Sequence, residues 1–187
     1  MESDKLTSNV KTEQIAEIKK VSFWISQLFI LLATVTGVYL AANQGYKQAV
    51  QFDNMKSYKE NYYLQKSLKY ELMDNIVILK DYITKSQDSS YYGARNEPLN
   101  FYKLVWENMK FSSTTLGTPP EFLRDAQRFY REVDRIHTEI AKGNMAITIG
   151  ITKLQEQIDL VEKGLLPALD SSTIKIEKIF EGTDVIL

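Results

Sequence analysis

Residues 21–42 read VSFWISQLFILLATVTGVYLAA, 22 positions without a Lys, Arg, Asp, Glu, His or Pro, and no other stretch restricts the fold as strongly. A helix of that length rises about 33 Å at roughly 1.5 Å per residue, enough to cross a hydrocarbon core of about 30 Å with every backbone polar group bonded internally. The segment is expected to form a single transmembrane helix. It exceeds the roughly 7–15 apolar residues of a signal-peptide core. Glu2, Asp4, Glu13 and Glu17 also dilute the positive charge that such a leader carries. A permanent anchor is therefore expected over a cleaved leader. The expected organisation is an N-terminal tail over 1–20, the span over 21–42 and a helical soluble domain over 43–187.

Three lysines close to the span on its N-terminal side (Lys11, Lys19, Lys20) outnumber the two that follow it (Lys47, Lys56). Because basic residues are retained on the cytoplasmic side, this predicts a cytoplasmic N-terminus and a main domain outside the cytoplasm. With 23 basic and 24 acidic residues well mixed, the chain has no field that would attract DNA, RNA or an acidic substrate. Nucleic acid is not an expected partner. The absence of cysteine excludes disulfides, thiol catalysis and thiolate zinc sites.

Beyond the span every periodic signal is helical. No proline interrupts 44–85, and Leu68, Leu72, Asn75/Ile76, Leu79 and Ile83 recur three and four residues apart, so one helix is expected to continue out of the membrane. Residues 86–98 (SQDSSYYGARNEP) read as a loop, followed by a short helix over Leu99–Phe111. Thr118-Pro119-Pro120-Glu121 reads as a capping box, with Thr118 at N-cap, Pro119 at N1 and Glu121 at N3. Behind it Phe122, Ala126, Phe129, Val133, Ile136 and Ile140 form a stripe that must be buried against other helices. Gly143-Asn144 offers a left-handed cap, after which Ile147, Ile151, Leu154, Ile158, Val161 and Leu165 resume the spacing.

A turn at 142–144 is favoured over one very long helix, whose stripe would lack an intramolecular partner. Met145–Ile151 also alternates at period two, leaving a short strand open. Residues 168–181 fit a frayed helix or an edge strand equally well. The fold class expected is all-α, one N-terminal transmembrane helix continuing into an antiparallel helical bundle.

Within the span, Gln27 and Thr34 lie near one face beside Ala33, Gly37 and Ala41. Small residues four apart let two helix backbones approach, and polar side chains in hydrocarbon bond across such contacts, so these five positions are the expected membrane packing site. Gln27 bonding its own backbone is the plainer alternative. Trp24, Tyr39 and Tyr46 are expected as interfacial anchors. The chain is rich in aromatics, and Tyr91, Tyr92, Tyr102 and Trp106 could present a partner surface or simply fill a core. His137 is the only histidine, and no nucleophile or metal-ligand spacing accompanies it. No cofactor and no metal are expected, and an enzyme is the least supported class.

The succession of a lone N-terminal span, Glu71-Leu72-x-x-Asn75 with Leu79 and Tyr82, Trp106, then Pro120-x-x-Leu123 with Phe129-Tyr130, resembles a loose group of uncharacterised bacterial single-span membrane proteins. The resemblance covers the middle half of the chain. It implies a bacterial plasma-membrane protein of helical architecture and carries no activity. The function expected is a membrane-tethered, non-catalytic interaction module, an accessory subunit or scaffold of a membrane complex. Its expected partners are the bilayer and either another membrane protein or a second copy of itself. An extracytoplasmic ligand-sensing bundle with its pocket in the Tyr-rich region is the alternative.

Overall fold

The computed structural model describes the backbone of residues 3–87, 93 and 97–181, with side chains from Lys20 onward apart from Ser113. Most of its described residues are helical, and none lies in a strand. Helix α1 spans Ser3–Gln87, α2 Leu104–Met109, α3 Pro120–Ala141, α4 Ile147–Leu160 and α5 Leu166–Phe180. A 3₁₀ segment, Ser113–Gly117, precedes α3, and a π-helical turn, Val161–Leu165, joins α4 to α5. Contacts divide the chain into two units, Met1–Asp53 and Asn54–Leu187.

In the first unit α1 carries the expected apolar run, and among the described residues one helix is long and apolar enough to cross a membrane. Its most apolar window has a mean hydropathy of 1.9, and none of that window is buried by the protein itself.

The second unit is built around the stripes that the spacing foretells. Leu68, Leu72, Ile76, Leu79 and Ile83 of α1 are buried with the six stripe residues of α3 and with Leu154, Ile158, Val161, Leu165 and Leu169. A smaller cluster, Tyr62 with Ile176 and Phe180, sits between α1 and α5. The turn expected at 142–144 is present: Gly143 has φ 75°, Asn144 N–H bonds Glu139 O at 3.0 Å and Gly143 N–H bonds Ile140 O at 3.0 Å. These two bonds form a Schellman motif, which needs a residue that tolerates the left-handed region. Helices α3 and α4 then pack so closely that a Cβ at Gly150 would collide with Ile140.

Two local readings are corrected and two left open are decided. The short helix starts at Leu104 rather than Leu99, because Asn75 holds both backbone groups of Tyr102 and keeps that segment out of a helix. Thr118 is not the N-cap of α3: the helix begins at Pro120, and the buried Thr118 hydroxyl donates to Asn61 Oδ1 at 3.2 Å. The period-two run 145–151 enters α4 from Ile147, and the C-terminal segment is helical through Phe180.

That last helix contains a device worth following in the sequence. Buried positions along α4, the π turn and α5 fall at Leu154, Ile158, Val161, Leu165, Leu169, Thr173, Ile176 and Phe180, with three successive steps of four from Val161 to Thr173. A regular α-helix would rotate those residues off the core face, and a wider turn brings them back. Leu166 N–H accordingly bonds Val161 O, an i to i−5 contact. Pro167, which has no N–H and would clash with an α-helical carbonyl four residues earlier, sits just past this turn.

Candidate functional site

Two places concentrate what the sequence singled out. The first is the exposed apolar face of α1. Gln27, Ala33, Thr34, Gly37 and Ala41 are all exposed within the protein, and a Cβ built on Gly37 meets nothing within 4 Å. Thr34 turns its hydroxyl onto Ile30 O at 2.8 Å, the bond to its own helix that a threonine makes when no neighbour is offered. Trp24, Tyr39 and Tyr46 project from the same helix, each more than two-thirds exposed.

The second is a buried polar node in the middle of the second unit. Glu71, 6% exposed, accepts from Val105 N–H at 2.6 Å, from Trp106 N–H at 3.1 Å and from the Tyr130 hydroxyl at 2.9 Å. One helical turn on, Asn75 is fully buried. Its amide nitrogen donates to Tyr102 O at 2.6 Å and to the Tyr130 hydroxyl at 3.1 Å, while its oxygen accepts Tyr102 N–H at 2.8 Å. The carboxylate thus satisfies two orphan amides at the start of α2, and the amide pins Tyr102, two residues before it.

Burial, followed by the Glu71 charge and the bond to it, pushes the Tyr130 pKa up, with Asn75 opposing weakly. Tyr130 therefore stays a neutral donor. Trp106 stacks on the Tyr130 ring, centroids 5.7 Å apart, and Phe101 stacks on Phe129 at 6.0 Å.

Every donor named in this node has an acceptor, so the node fixes loop and helix positions. Of the aromatic residues offered as a partner surface, Trp106 commits its ring to the core, Tyr102 leaves its side chain 63% exposed, and Tyr91 and Tyr92 lie outside the described residues. His137 is half-buried, its ring edge-on to Tyr82 at 5.4 Å with Nε2 2.8 Å from Glu97 O. Among the described residues no group of three His, Asp or Glu side chains is arranged to hold a metal ion.

Glu71, which sequence alone sets with Glu60 on an ordinary solvated helix face, is instead buried, and its partnership with Asn75 of the α1 stripe is not foreseen. A buried-stripe position occupied by Asn, one turn after Glu, was the available signal. No protein-family model matches the chain, and no match was found among curated proteins or solved structures.

Proposed function

We propose that this chain is a membrane-tethered, non-catalytic interaction module, an accessory subunit or scaffold at a bacterial plasma membrane. Its span packs laterally on another membrane protein or on a second copy. The observation that carries this reading is the complete exposure of an apolar window of mean hydropathy 1.9. Water is not a tolerable environment for such a surface, so lipid or a partner helix must cover it. The lysine bias places the N-terminus in the cytoplasm and the main domain outside.

In this reading the soluble part is a bundle in which α4 and α5 run against α1. Support comes from pairs whose numbers rise on one side and fall on the other: Lys66 with Glu177, Lys69 with Asp170, Lys80 with Glu162. Helix α3 instead runs with α1, since Asn61, Glu71 and Tyr82 meet Thr118, Tyr130 and His137 in that order.

The experiment is association in the membrane, by crosslinking or copurification at matched expression. Gly37→Ile has room within the chain itself. It is expected to insert normally and to lose its lateral partner, because the side chain would hold two backbones apart. Gln27→Leu should weaken the same contact by about 0.6–2 kcal/mol. Wild-type association in both variants would reduce the span to an anchor.

A further inference from the structure

In the second unit α1 turns one side to the core, and the opposite side stays open. Tyr63, Tyr70 and Val77, seven residues apart on that open side, are 47%, 56% and 66% exposed. The segment leading into α2 adds to its edge. Asn75 holds Tyr102 and Glu71 holds the Val105 N–H, so residues 102–105 lie along α1, with Tyr102 and Leu104 exposed. None of these five side chains belongs to either buried cluster. Charge around them is largely settled within the chain: Lys66 pairs with Glu177, Lys80 with Glu162 and Asp81 with Lys85. Asp74 is the exception, with no ion pair among the described residues. Large apolar side chains among neutralised charges call for an apolar partner rather than a charged one. A spacing of seven is the period at which two parallel helices meet in register.

We propose that this side of α1 is the contact between two copies of the chain, paired about an axis parallel to α1 so that Tyr63, Tyr70 and Val77 each meet their own mates. Tyr102 and Leu104 close the edge of the contact, and Asp74 stays in water at its rim. The inference deepens the scaffold reading and rests on its membrane tether. Copies inserted in one membrane share their orientation, so their α1 helices run parallel, as the seven-residue spacing requires. The five side chains expose on the order of 500 Å². That is less than the roughly 800 Å² per partner of a standard interface between free proteins. Confinement to one membrane raises the effective concentration of the second copy, which makes a smaller face sufficient.

The chain has no cysteine, so single-cysteine variants of the full chain in isolated membranes report neighbours without background. Under copper-phenanthroline oxidation, Tyr70→Cys and Val77→Cys are expected to give disulfide-linked dimers several-fold above Arg128→Cys on α3 and Ser171→Cys on α5. All four positions are exposed, so the substitutions leave the core intact. Val77→Lys added to Tyr70→Cys sets two ammonium groups face to face and should cut the linked fraction about tenfold. Linkage at Tyr70 and Val77 no greater than at Arg128 and Ser171 would overturn the inference. So would undiminished linkage with Val77→Lys, or an adduct whose mass is not twice that of the chain. Ala41→Cys reports the span separately: linkage there without linkage at Tyr70 or Val77 sinks this contact and leaves the tethered-module reading standing. Release of the chain from membranes by carbonate would remove the tether, and this contact with it.

Discussion

Glu71 shows how one side chain organises a region that has little regular structure of its own. Replacing it by Ala would strand two backbone amides and the Tyr130 hydroxyl in a site that water does not reach. Glu71→Ala is therefore expected to cost about 3 kcal/mol or more. Urea unfolding followed by Trp106 emission in a Trp24→Phe background would show it, and an unchanged midpoint would mean the node holds nothing together. Gln65 is the opposite case. It is 1% exposed, and its Oε1 is buried without a hydrogen-bond partner. An unsatisfied buried acceptor costs about 1–3 kcal/mol, so Gln65→Leu should raise the unfolding midpoint. A drop would reveal a bond carried by solvent. Thr118, read from sequence as a cap, belongs with Glu71: its hydroxyl serves a residue 57 positions away.

Among the elements, α5 depends most visibly on charged contacts with α1. The Tyr62 hydroxyl donates to Glu177 Oε1 at 2.6 Å, and Lys66 bonds both partners. The Tyr62 bond first, then Lys66, holds the Glu177 carboxyl below its ordinary value of 4.5. A carboxyl lowered on folding stabilises above its ordinary pKa, and that contribution is lost as pH falls through the lowered one. Stability should therefore decline as the pH falls through and below that ordinary value, and the decline should be smaller in Tyr62→Phe. Equal acid sensitivity in the two proteins would show that Glu177 takes no part. The π turn keeps the residues of α4 and α5 on one buried face despite the steps of four.

For the whole molecule, the exposed apolar stretch of α1, long enough to cross a membrane, lies in one unit and the buried core in the other. The proposed orientation makes a direct prediction: a reporter active only outside the cytoplasm, fused after Leu187, should be active. Protease added to intact spheroplasts should then digest the soluble part. A silent reporter with a protected domain would reverse the topology and leave the span unaffected. The proposed bundle, with α3 running along α1, is possible because the connection from Gln87 to Pro120 is long enough to return to the starting end. A short connection would have forced neighbours to alternate.

By itself the sequence determined the apolar span and the helical stripes, because length, hydropathy and a period near 3.6 are properties of neighbouring residues. Phe122 through Ile140 and Leu68 through Ile83 could be assigned to the core from spacing alone, and both sets are buried. The tertiary structure alone decided where polar groups spend their bonds. Glu71 reaches amides 34 and 35 residues on and a hydroxyl 59 residues on, and Thr118 turns from its own helix to Asn61. The physical reason is the same throughout. Apolar burial is non-directional and leaves a periodic trace in the chain, whereas a hydrogen bond is directional and its partner is chosen by what folding brings within about 3 Å.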